Sequence, residues 1–221
     1  MKYQWQFDVV WAQFPKLWDG LQLTIMLAVV GFILSASFAL VVVLARISSS
    51  RFLSLLAIGY INFFRGTPFI VQLLWLYYTL PVVTGLLLSS ISTALIGITL
   101  NLGAFIAETY RAGIESIDKG QSEAAAALGM THAQIMARIV LPQAIVRVIP
   151  PLASYWITIF KDTSLFSLIA VAELTYQSRL VAVDTFRPLE TYTLIALLYF
   201  AVTYPQARLV DYIFDRYRVR S

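Results

Sequence analysis

Charge-free runs of unequal length alternate with short polar clusters along this chain. The first long clean run, residues 20–45, holds 26 uncharged positions between Asp19 and Arg46. A helix rises 1.5 Å per residue, so about 20 apolar residues cross the hydrocarbon of a bilayer, and this run predicts a first transmembrane helix. Residues 52–64 make a run of 13, too short to span, whereas 66–107 make one of 42, too long for a single helix. One parsing accommodates both: a second helix over 52–80 that carries Arg65 inside the membrane, a turn at Pro81, Gly85, Ser89 and Ser90, then a third helix over 92–111. Pro68 falls inside helix two. It lacks an N–H and crowds the carbonyl of Phe64, which predicts a kink or break. Broken backbone at membrane depth survives only against protein or a water-lined cavity.

Further along, runs 148–160 and 163–172 hold 13 and 10 residues; joined through Lys161-Asp162 they make a span of 25 with both charges in its interior. Residues 173–190 read as a polar external loop, 191–209 as a fifth span, and 211–220 as basic. Five spans put the termini on opposite sides. Ten cations (Arg46, Arg51, Arg111, Lys119, Arg138, Arg147, Arg208, Arg216, Arg218, Arg220) fall on one side and four (Lys2, Lys16, Arg179, Arg187) on the other. Excess Lys and Arg mark the cytoplasmic side, so the N-terminus is expected outside and the C-terminus inside. Trp5, Trp11 and Trp18 place residues 1–19 along the external interface, and the apolar run behind them is too long for a cleaved leader. The expected organisation is an all-α membrane protein: an external segment 1–19, one five-helix domain over 20–215 containing a cytoplasmic insert at 112–146, and a basic tail over 216–221.

Composition agrees. The chain is 59% hydrophobic and 13% charged with a mean hydropathy of +0.76, against about 25% charged residues in soluble domains. The net charge of +4 is accounted for by topology and calls for no nucleic acid. No cysteine and a single histidine exclude disulfides and leave no ligand set for zinc, haem or an iron–sulfur cluster.

The insert is the one long polar stretch. Ser122 suits an N-cap, with Glu123 in the first turn against the helix dipole. Four alanines follow, and Gly129 suits the left-handed position that ends a helix. Thr131 to Gln134 reads as a capping box opening a second helix, which Pro142 is expected to end. A helix with so little side-chain bulk can approach another surface closely, which marks a docking element.

Glu123-Ala124-Ala125, Gly129, Ile139 and Leu141-Pro142 stand at the spacing of the EAA signature, without a departure, and the chain resembles the permease subunits of ATP-binding-cassette importers over residues 20–215. Phe64-Arg65-Gly66-Thr67-Pro68 and Lys161-Asp162-Thr163-Ser164-Leu165 resemble the branch that imports polar amino acids. The resemblance implies a type I importer permease fold. It makes Glu123, Ala124, Ala125, Leu128, Gly129, Ile139, Leu141 and Pro142 the element that couples to a cytoplasmic ATPase. It further implies a second permease subunit, identical or related, and an extracytoplasmic amino-acid-binding protein. There is no Gly-x-x-x-x-Gly-Lys-Ser/Thr loop, so ATP and magnesium are expected on the ATPase, and neither an enzyme activity nor a cofactor is expected here.

Charges at membrane depth are costly and tend to mark pathways. A zwitterionic amino acid needs an anion for its ammonium, for which Asp162 is the candidate. Its carboxylate needs donors, for which Arg65 or N–H groups freed near Thr67 and Pro68 are candidates. Lys161, Thr163 and Ser164 complete the candidate pathway, and Lys161 with Arg65 leans towards an acidic substrate. Arg65 has a second reading as a brace of the bundle. Glu108 and Arg111 read as an i, i+3 ion pair, His132 as a solvated residue, and Gly97 and Gly103 as positions of close helix packing. The competing functions are the same importer class with an opine or methionine as substrate, or a membrane scaffold without transport.

Overall fold

The computed structural model describes residues 3–217, and among these every element is helical. A short helix α1 (Phe7–Trp11) leads into α2 (Phe14–Arg46), which begins six residues before the charge-free run because Phe14, Leu17 and Trp18 continue its apolar pattern. At 33 residues it is about 50 Å long, more than the hydrocarbon requires. Next comes α3 (Arg51–Gly66), then α4 (Phe69–Leu74), a π-helical turn (Trp75–Thr79) and α5 (Leu80–Thr84). The expected single kinked helix is thus two pieces, Arg51–Gly66 and Phe69–Thr84, bent by 105° at Thr67-Pro68. Proline accounts for the break, but the angle depends on contacts across it described below. Gly85, in the left-handed region at φ 72°, ends α5, and Ser89 caps α6 (Ser90–Glu115) by accepting from the Ser92 N–H.

Helix α6 runs on to Glu115, into the expected insert. Helix α7 (Lys119–Ala127) is capped by Asp118, whose Oδ1 accepts from the Gly120 N–H at 2.6 Å. Ser122 therefore lies inside α7 and is not its N-cap. Asp is as good a cap as Ser, and capping at Asp118 adds a turn of helix. Helix α8 (His132–Ile135) passes through a π-helical turn (Met136–Val140) into α9 (Leu141–Asp162), so Pro142 does not end the second helix. A proline clashes with the carbonyl four residues back, here that of Arg138; the wide π turn opens the ladder there and the helix runs on.

At Asp162 the α-helix tightens into a 3₁₀ segment (Thr163–Ile169), closed by Ala170 at φ 59°. Lys161 and Asp162 thus stand at a change of helix type rather than inside one continuous helix. Residues 173–190 are not a loop: α10 (Leu174–Thr185) fills most of them, capped by Glu173, and α11 (Pro188–Tyr217) starts before the expected fifth span and outlasts it. Of the basic tail, Arg216 lies in α11, whereas Arg218 and Arg220, like Lys2, lie outside the described residues. Four helical runs, Phe14–Arg46, Ser90–Glu115, His132–Ile169 and Pro188–Tyr212, are long and apolar enough to span, and the bent pair makes a fifth if its two halves are one span.

α2 and α6 form the central pair, with α9 packed on both. Their shared core holds Leu27, Ile98, Ile106, Ile159 and Phe166. At Gly31 the backbones come close enough that a Cβ would lie 3.1 Å from Ile98 and 3.2 Å from Ile159. Of the two expected close-packing glycines, Gly103 is tight (3.0 Å to Phe38), whereas Gly97 has ordinary contacts starting at 3.4 Å.

Two smaller clusters close the ends. At one end α1, α10 and α11 cover the start of α2 through Val10, Leu17, Leu174, Val181 and Ile195. There the fully buried Glu173 accepts from the N–H groups of Thr175 (3.0 Å) and Tyr176 (2.8 Å) and from the Tyr199 hydroxyl (3.0 Å). Burial pushes its carboxyl pKa up, against the lowering pull of those donors. Fully buried Glu190 ties down the N-terminal strap, accepting from the Tyr3 hydroxyl (2.6 Å) and the Gln6 N–H (2.9 Å). At the other end Ile117, Ala125, Ile135, Val140 and Ala144 seat the α7–α8 hairpin on the feet of α6 and α9.

Candidate functional site

The hairpin is held by three local devices. Asp118 caps the start of α7. At its end Gly129, at φ 81°, donates to the Ala126 carbonyl (2.9 Å), and Met130 donates to Ala125 (3.1 Å). These two bonds form a Schellman motif, which fixes the direction in which the chain leaves α7. Thr131 and Gln134 then form the reciprocal capping box, at 2.9 and 3.4 Å. Ala125 points inward at 2% exposure, while Glu123, Ala124, Ala126, Ala127 and Gly129 face outward. Leu128 is 84% exposed at the tip. Ile139 packs against the hairpin cluster, and Leu141 and Pro142 remain exposed. Gln143 ties α9 to α7 through the Gln121 side chain at 2.6 Å, and Arg147 donates to the Ser116 carbonyl. The result is a rigid knob with one acidic residue, small residues and a single leucine on its free face. His132 is exposed beside the cap.

The second candidate region surrounds the break. Phe69, just after Pro68, sets its ring edge-on to Phe166 at 6.3 Å, so the 64–68 and 161–165 boxes are neighbours. Arg65 faces α6: its guanidinium lies over the Phe105 ring at 5.5 Å and 3.9 Å from Glu108, which is also bound by Arg111. The Glu108–Arg111 pair continues to Glu115, making a short ladder along α6. Among the described residues no ion pair joins Arg65 to Asp162. Asp162 is half-buried, and its carboxylate makes no hydrogen bond or ion pair among the described residues, while Lys161 is exposed. Thr163 is fully buried and donates to the Phe160 carbonyl (2.7 Å); Ser164 donates to that of Lys161 (2.6 Å). A cleft of about 330 Å³ opens beside the break, lined by Phe63, Phe64, Thr67, Val71, Gln72, Trp75 and Leu76.

Gln72 and Asn101 are residues that charge-based reading passes over. Gln72 Nε2 lies 3.0 Å from the Phe64 carbonyl, 3.0 Å from that of Thr67 and 2.6 Å from Thr67 Oγ1. Asn101 Nδ2 donates to the Phe64 carbonyl (3.2 Å) and to Gln72 Oε1 (3.0 Å). Their signal was present in the sequence: two amides inside a 42-residue charge-free run, one of them four residues after the proline.

Spans gathered around a central pair, one span broken at a proline, and a capped small-residue hairpin at one end define a membrane permease core. The chain belongs to the family of binding-protein-dependent transport system inner membrane components, which matches residues 37–219. It is 35% identical over 204 residues to the glutamine transport system permease protein GlnP of Escherichia coli (strain K12), covering 92% of each chain. It is 36% identical over 211 residues to the probable glutamine ABC transporter permease protein GlnM of Bacillus subtilis (strain 168), covering 95% of this chain and 96% of that one. The solved structure of an amino acid ABC transporter with histidines superposes with a TM-score of 0.91 at 33% identity, over 97% of this chain and 100% of the other. The methionine transporter MetNI shares the fold at 21% identity, with a TM-score of 0.64 over 95% of this chain and 99% of that one.

Proposed function

We propose that this chain is the membrane subunit of an importer carrying polar amino acids, glutamine or an acidic amino acid among them, into the cytoplasm. One observation carries the reading most: the hairpin between α6 and α9, locked at both ends and bare of bulk on its free face, beside relatives named for glutamine and amino-acid transport. In this reading Glu123, Ala124 and Leu128 seat in a groove of an ABC ATPase, which holds ATP and magnesium. Gly129, Ile139, Leu141 and Pro142 fix the hairpin's attitude, and closure of the ATPases rocks the spans as rigid bodies. A second permease subunit completes the pathway, and an extracytoplasmic binding protein delivers substrate to the α10–α11 end. The hairpin faces the cytoplasm of a bacterial inner membrane.

Asp162, whose carboxylate makes no hydrogen bond or ion pair among the described residues, receives the substrate ammonium. Backbone N–H groups at the break receive its carboxylate. Arg65, engaged by Glu108 and Phe105, serves here as the brace that presents them. Exposed Lys161 and the Ser164 hydroxyl flank the path, while Thr163, fully buried with its hydroxyl donating to the Phe160 carbonyl, shapes it from behind.

The test is co-expression with an ABC ATPase and an amino-acid-binding protein, followed by uptake of labelled glutamine in competition with other amino acids. Competition by polar amino acids is expected. Competition by methionine or an opine alone would move the substrate class. The Glu123→Lys variant, which reverses the charge at the front of the knob, should lose the ATPase on purification and at least about tenfold of uptake, the scale of a lost hot-spot contact. Retention of both by that variant would refute the docking role.

A further inference from the structure

We infer that Gln72 and Asn101 are positioning residues for transport: an amide clamp that holds the broken span in one register on α6. The inference rests on the transport reading for its role but not for its geometry. Pro68 has no N–H, so the Phe64 carbonyl loses the donor a continuous helix would supply. Both amides replace it, Gln72 at 3.0 Å from one side of the break and Asn101 at 3.2 Å from α6. The Thr67 carbonyl beside it is taken by the same Gln72 amide. Gln72 Oε1 accepts from Asn101, so the two side chains fix each other as well as the backbone. Gln72 is 6% and Asn101 8% exposed, so both amides are largely buried.

Asn101, Phe105 and Glu108 lie at i, i+4 and i+7, on one face of α6. Asn101 takes the Phe64 carbonyl, and the other two take the Arg65 guanidinium. Consecutive residues at the severed end of α3 are therefore held on successive turns of one rail, and a slip of the break would lose both attachments together. Thr67 is also committed: its hydroxyl donates to the Phe63 carbonyl (2.8 Å) and lies 2.6 Å from Gln72 Nε2. Its part is to seat the break rather than to ligate substrate. Gln72 and Thr67 also line the cleft beside the break, so the clamp sets the wall that a passing molecule would meet.

The test uses the whole transporter and a chain that contains no cysteine. Spin labels on Gly66→Cys, where an added Cβ meets nothing within 4 Å, and on Ala112→Cys on α6 report the distance between the severed end of α3 and the rail that holds it. The parent should give one narrow distance distribution. Gln72→Asn, which shortens one arm by a methylene, should broaden it and lower the maximal uptake rate at least about tenfold with the apparent KM nearly unchanged, since misplacing a pathway element costs rate. The exchanged pair Gln72→Asn with Asn101→Gln restores the number of methylenes across the gap and should recover both readouts; a merely apolar packing role would give no such recovery. A narrow distribution in Gln72→Asn, or a swap that stays broad, overturns the clamp. If the parent itself takes up no amino acid, the transport reading fails, and the distance measurement still decides the clamp.

Discussion

Asp162→Asn will abolish uptake while the chain still assembles with its ATPase. The substitution keeps size and shape and removes one negative charge. That carboxylate stands where α9 tightens into the 3₁₀ segment, half-buried, without a hydrogen bond or ion pair among the described residues. A purely structural carboxylate in a span would be paired, because an unpaired charge there is expensive. Removing one member of a desolvated charge pair costs about 2–5 kcal/mol, roughly thirty-fold to several-thousand-fold in affinity. Binding of labelled amino acid to the purified transporter and uptake in vesicles should fall together, and co-purification of the ATPase should not. Normal uptake by the Asn variant would remove Asp162 from the pathway.

The second large effect is mechanical. Gly113 lies where α6 crosses α9 just above the hairpin, and a Cβ there would come within 2.3 Å of Val148 Cγ2 and 3.4 Å of the Ala144 carbonyl. Gly113→Ala must therefore displace the Val148 side chain or part the two helices that carry the knob. Overpacking of this kind typically costs about 1–3 kcal/mol, more than the roughly 1 kcal/mol that alanine gains over glycine in helix propensity. The variant should melt several degrees lower in detergent and transport more slowly. Because the obstructing atom is the end of a side chain, adding Val148→Ala should recover most of both losses, a coupling that a double-mutant cycle measures. Gly97→Ala is the control: its neighbours begin at 3.4 Å, and it should be neutral or slightly stabilising. Additive losses at positions 113 and 148 would contradict the close crossing.

How much of this was legible in the sequence differs from element to element. The first and third spans could be read because lipid permits few charges, and the charge-free runs measure length directly. The Gly129 stop and the Thr131–Gln134 box were also legible, since each depends on bonds within a few residues. The failures at Glu173, Glu190 and the angle of the break involve partners far along the chain. Glu173 and Glu190 read as solvated, yet Tyr199 holds one and Tyr3 the other, 26 and 187 residues away. Pro142 read as a stop because a local rule cannot anticipate the π turn that absorbs it. Pro68 announced a break, but the 105° angle depends on what meets it across the bundle, including Asn101, 37 residues beyond Phe64. Ser122 read as the cap of the first insert helix, whereas Asp118, four residues earlier, is the one that caps it.

The sidedness of the hairpin is the claim on which coupling, substrate delivery and direction of transport all depend. His132→Cys gives a unique thiol in a cysteine-free chain, at an exposed position that the capping box leaves free. A membrane-impermeant maleimide added to intact cells should leave it unmodified and should label it once the membrane is opened. Labelling from outside intact cells would contradict the account.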